Sequence, residues 1–208
     1  MARRAVVPVL VALGLAVAGC AHKPPAGPSP GSIVSQAPSS RALPFGGAPK
    51  VAAPLTASPV AGDPCRDLLT AEQVRTQLGS PVTSKRADDP GIGPGCDWVN
   101  TATSGHLIIN YDTVTHTGLS GTYKNVQPRA EVWRELPLIQ GFPAVAHVTP
   151  GGGPPDQYCG VTIGLADDLS LEMSIFLSDA RKGKTNPCDV GAGVAADVVA
   201  TLRQKAGG

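Results

Sequence analysis

Aromatic residues are scarce, eight in 208, and charged residues make up only 16% of the chain. There is no Cys-x-x-Cys pair, no Ser-x-x-Lys pair, and no Gly-x-Ser-x-Gly elbow set between a strand and a helix. Gly151-Gly152-Gly153-Pro154 lacks the strand, helix and Lys of a phosphate loop and reads as a flexible turn. A basic surplus is also missing. The whole chain carries +1, but residues 63–208 hold 12 Lys and Arg against 16 Asp and Glu, a net of −4. Nucleic-acid binders display a basic patch, and none is evident here. A polybasic attraction to anionic lipid is equally unsupported. No cofactor is expected.

What the chain does have is proline and glycine, 21 and 25 residues, with much of the excess before Asp63. Three regions follow. Residues 1–19 read as a signal peptide: Arg3 and Arg4 are the positive start, and Ala5 to Ala16 is an apolar run too short to span a bilayer. Val17-Ala18-Gly19-Cys20 resembles the bacterial lipobox. That resemblance implies diacylglycerol on the Cys20 thiol, cleavage after Gly19, and anchoring on the extracytoplasmic face of the cell membrane. Residues 20–62 read as the lipidated Cys and a disordered Pro/Ala/Ser/Gly tether, unable to bury enough apolar surface to offset its ordering entropy. As coil it would span about 35 Å, and extended roughly 130 Å. Residues 63–208 have the size of one globular domain.

Five cysteines are present. With Cys20 acylated, Cys65, Cys96, Cys159 and Cys188 remain, an even number that argues for two disulfides in an exported chain. Of three possible pairings, Cys65–Cys96 and Cys159–Cys188 are favoured. Each closes a loop of about 30 residues and joins a Cys near a helix start to a Cys starting a strand; each is worth roughly 3–4 kcal/mol on the chain-entropy model. The gaps of 31, 63 and 29 residues hold no close ligand pair, so zinc is not expected.

Local signals give the rest of the fold. Thr70 and Gln73 form a capping box, and Gly79 with Pro81 ends that helix. Cys96–Val99 and Leu107–Tyr111 read as a hairpin. Gly118–Val126 reads as a weak helix, and Val132–Leu136 and Ala144–Val148 as strands. The clearest alternation runs from Cys159 to Leu177 through a turn at Ala166-Asp167-Asp168. Asn186-Pro187 opens a last helix whose stripe is Val190, Val194, Val198 and Leu202. The expected class is α+β: one antiparallel sheet with helices on one face.

Asp63-Pro64-Cys65, Leu68-Leu69-Thr70, Gly79 and Cys96-x-Trp98 resemble the start of the DUF3558 domain, and the Cys159 strand and Cys188 helix resemble its second half. The resemblance implies an actinobacterial exported lipoprotein with two disulfides. It supplies no activity and no catalytic residues.

Chemistry-bearing clusters are few. His106, His116 and Asp112 could be imagined around zinc, but their spacing matches no known site, and structural His is the better reading. Asp88-Asp89 and Asp167-Asp168 read as solvated turns. Trp98 reads as core. Tyr123 and Trp133, in the irregular middle, are the candidates for an exposed binding surface. The function expected is a non-catalytic binding or accessory module, with a protein or cell-wall component of the envelope as partner. The alternatives are a carrier of a small apolar ligand, which needs a cavity of several hundred cubic ångströms, and an envelope hydrolase, which needs convergent titratable groups.

Overall fold

The computed structural model of the protein describes residues 42–55 and 61–207. Cys20 and the expected signal residues lie outside that range. Helices start where short polar side chains satisfy free backbone N–H groups. Asp63 caps a single turn, α1 (Pro64–Asp67), by accepting from the Cys65 N–H. Thr70 caps α2 (Ala71–Leu78) and forms the full capping box with Gln73. That helix stops at Gly79, whose φ of 80° suits a residue without Cβ. The weakly signalled α3 (Leu119–Asn125) has no side-chain cap and follows Gly118. Asn186 caps α4 (Pro187–Ala206) by accepting from the Cys188 N–H, with Pro187 at the first position.

Seven strands lie between these helices: β1 (Thr83–Arg86), β2 (Gly95–Asn100), β3 (Gly105–Asp112), β4 (Val132–Ile139), β5 (Phe142–Val148), β6 (Tyr158–Ala166) and β7 (Leu169–Phe176). They form one antiparallel sheet in the order β1-β2-β3-β7-β6-β5-β4. The expected α+β class is present, and the two disulfides are Cys65–Cys96 and Cys159–Cys188. Proline at position 137 sits in edge strand β4 at a register shift, where a missing N–H is tolerated.

Alternation sorts the sheet into two faces. Leu107, Ile109, Val161, Ile163, Leu171 and Met173 are buried on the first, against Val194, Val198 and Leu202 of α4. The helix packs closely: a Cβ at Gly191 would fall 2.6 Å from Val161. Leu68 and Leu69, which follow α1, and Val74 and Leu78 of α2 close the β1–β2 end of the same core, over Trp98.

Three findings change the expected picture. First, α3 lies on the opposite face. Its Leu119 and Tyr123 pack with Val145, which alternates with the core residues Ala144 and Ala146 of β5. Second, the expected tether is not free between residues 42 and 55, which dock on the domain. The Phe45 N–H donates to Ser120, the Val51 N–H to Asp167, and the Leu55 N–H to the Leu165 carbonyl. Ala48 and Val51 are buried there. Coil-like composition disfavours self-contained structure, but here partners outside the segment supply the hydrogen bonds and the apolar contact. Third, β1 has no signal in the sequence. Its residues Thr-Ser-Lys-Arg are exposed throughout, so it carries no alternation to read.

Candidate binding groove

Between α1, α2 and the β1–β2 edge lies an open groove of about 650 Å³. Leu69, Val74, Val82 and Trp98 line its apolar part, and Arg66 and Arg75 its cationic part. Leu69, Val74 and Trp98 are core residues that show the groove only a residual face. The capping box sets the start of α2, and the Cys65–Cys96 bridge ties α1 to β2, so both walls are held covalently or by tertiary packing. A second hollow of about 460 Å³ shares Cys65, Arg66 and Ser84 and continues to Lys85 and Arg86. Three of the four cations have acidic partners: Arg66–Asp63 at 3.1 Å, Lys85–Asp97 at 3.6 Å and Arg86–Asp88 at 2.8 Å. The Arg86 hydrogen bond holds the Asp88 carboxyl below its ordinary range. Arg75 has no ion-pair partner among the described residues.

The far face of the sheet carries a different cluster. Thr162 donates to Glu172 at 2.8 Å, Thr122 of α3 donates to the other Glu172 oxygen at 3.4 Å, and His147 Nε2 meets the Thr162 hydroxyl at 3.3 Å. Burial pushes the Glu172 carboxyl up to about 7, and the charge of Asp112 adds to this. Burial alone takes His147 down to about 4. The Thr162 hydroxyl is consumed by Glu172 and fully buried, so it is not presented to an incoming substrate. Tyr123, whose hydroxyl donates to Glu135 at 3.0 Å, is pushed upward chiefly by burial.

The family model described as a protein of unknown function, DUF3558, matches residues 15–201. The chain belongs to that family. No curated protein and no solved structure matches it. Within this DUF3558 chain the match reaches back beyond the expected Asp63 boundary, across both the docked segment and Cys20.

The residues singled out from sequence separate as follows. Cys65, Cys96, Cys159 and Cys188 are all in the two bridges. Tyr123 is not a surface residue: it is 5% exposed, against Ala48 and Val145. Trp133 is half-buried and packs against it edge to face. Tyr123 and Trp133 thus belong to a second small core with Leu119 and Val145. His106 meets Asp97 at 2.7 Å and stacks on Phe176. The groove is built from one consecutive stretch, Cys65 to Trp98, but it escapes a sequence reading because β1 carries no alternation and nothing local shows how far α1 and α2 stand from that edge.

Proposed function

We propose that this chain is an extracytoplasmic lipoprotein anchored through acyl chains on Cys20, and that its domain works by binding a protein or wall component of the envelope, without catalysis. The groove beside β1 carries the reading. It is apolar below, cationic at its margin, and open along its length, which suits an elongated partner. Its volume also falls in the range of small-molecule sites, so a carrier of a small apolar ligand is the second reading. The openness weighs against the carrier, because an apolar ligand there would keep much of its surface in water.

The anchor is tested by Cys20→Ala with a fatty-acid probe: labelling should vanish, and unchanged labelling would refute lipidation. The binding role is tested by placing a photo-crosslinking residue at Ser84 and, as a control, at Leu138, in cells carrying the tethered protein. Specific adducts from Ser84 to a macromolecule support the module. Adducts to small lipid alone would favour the carrier.

A further inference from the structure

We propose that β1 is a docking edge, at which an extended acidic segment of a partner polypeptide adds to the sheet as an eighth strand. The inference rests on the binding reading above and names its partner class. The first observation is the ladder. Thr83 pairs with Val99, Ser84 with Trp98, Lys85 with Asp97 and Arg86 with Cys96. The next pair in register, Ala87 with Gly95, is joined by a bond from the Ala87 N–H to the Gly95 carbonyl. Hydrogen-bonded and non-bonded pairs alternate in an antiparallel ladder. Lys85 and Thr83 therefore bond to β2, and Ser84 and Arg86 aim their N–H and C=O groups away from the sheet. Among the described residues nothing pairs with that outer edge.

The second observation is space. Both hollows lie along β1, one lined by Val82 and Ser84, the other by Ser84, Lys85 and Arg86. An added strand would point alternate side chains toward Trp98 and Val74 beneath α2. Strand addition takes affinity from main-chain bonds and specificity from such alternate pockets.

The third observation is charge. In a domain of net −4, the edge and its rim gather Arg66, Arg75, Lys85 and Arg86 against Asp63, Asp88 and Asp97, a local excess of one cation. Exposed ion pairs such as Arg66–Asp63 contribute little, so these cations can exchange partners at small cost. The same charges disfavour a second copy of this chain as occupant, because β1 against β1 would bring Lys85 and Arg86 of both copies to one edge. The opposite sheet edge is not equivalent, since β4 carries Pro137 and a register shift.

The test uses the full chain in detergent and two fluorescent ten-residue peptides, one alternating Val and Glu, the other alternating Val and Lys. Anisotropy should report binding of the Glu peptide and at least tenfold weaker binding of the Lys peptide. Ser84→Pro removes one outward donor and leaves the β2 ladder untouched, so it should weaken the Glu peptide at least tenfold with circular dichroism unchanged. Arg66→Glu combined with Arg75→Glu should do the same. If Ser84→Pro misfolds, amide exchange of the unaltered chain decides. Added Glu peptide should slow Ser84 and Arg86 and spare Thr83 and Lys85. Equal binding of both peptides, no binding, protection on β4, or dimerisation through β1 would overturn the proposal. Specific Ser84 crosslinks in the envelope without Glu-peptide binding would end strand addition while leaving the binding module standing.

Discussion

Trp133 and Tyr123 meet edge to face with ring centroids 5.1 Å apart, and Trp133 stacks on His147 at 6.4 Å. Removing Trp133 should therefore be felt in stability before any partner is involved. Full burial of such a ring is worth roughly 3–5 kcal/mol on truncation to Ala. Trp133 is half-buried, so a loss of about 2–4 kcal/mol is expected for Trp133→Ala in urea unfolding. A change within experimental error would restore the exposed-surface reading. The neighbouring titratable pair gives a second prediction. Glu172 is raised from 4.5 to about 7 in the folded state, so it favours the fold at low pH and withdraws that contribution as pH rises through 7. His147 is lowered from 6.5 to about 4, so it favours the fold at high pH and withdraws as pH falls through 4. Between about 4.5 and 6.5 the two slopes oppose each other. Glu172→Gln should unmask the His147 slope, with stability rising from about pH 4 to 6.5. His147→Phe should unmask the Glu172 slope, with stability falling from about pH 4.5 to 7. Denaturation midpoints across pH measure both, and parallel profiles for all three proteins would count against the assignment.

Elements show where local sequence rules suffice. The capping box at Thr70, the Asn186-Pro187 start and the β6–β7 alternation are readable because a few adjacent residues determine each. The disulfide pairing is readable because each bridge joins a helix start to a strand start. By contrast, β1 exists because β2 offers it a partner, and Thr-Ser-Lys-Arg alone contains no sign of it. The apolar residues Leu119 and Tyr123 make α3 detectable but not its side of the sheet, which depends on Val145 facing away from Ala144 and Ala146. One margin of the groove is β1, through Ser84, so that margin shares its invisibility. At this scale the testable element is α4, fastened to β6 by Cys159–Cys188 with a separation of 29 residues. Replacing both cysteines with Ser should cost about 3–4 kcal/mol. Amide exchange should accelerate first at the α4 N-terminus, around Asp189 and Val190. Uniform acceleration across α4 would mean that the bridge stabilises the whole fold and not that end.

For the molecule as a whole, the docked segment 42–55 covers a part of the sheet that the α4 side leaves bare. Val51 and Leu119 both press close to Gly164, where an added Cβ would meet Leu119 at 3.0 Å and Val51 at 3.3 Å. A chain shortened to begin at residue 61 should then expose Leu119, Tyr123 and Val145 and lose about 2–4 kcal/mol, scaled from the burial of one or two apolar side chains. Calorimetry of the shortened and full chains checks this, and coincident melting points would show the segment to be a passive passenger.

The same segment has a mechanical meaning. If Cys20 carries the proposed acyl anchor, 22 peptide steps separate it from Ala42, where the described segment begins, and their contour cannot exceed about 75 Å. Three backbone bonds, at Phe45, Val51 and Leu55, hold the next stretch down. A pulling force on the domain would peel them in turn and lengthen the reach from Cys20 to Ala61 to about 140 Å. Under the proposed anchoring, the strap would be a reserve of slack, and peeling it would let one molecule work at two heights above the same membrane.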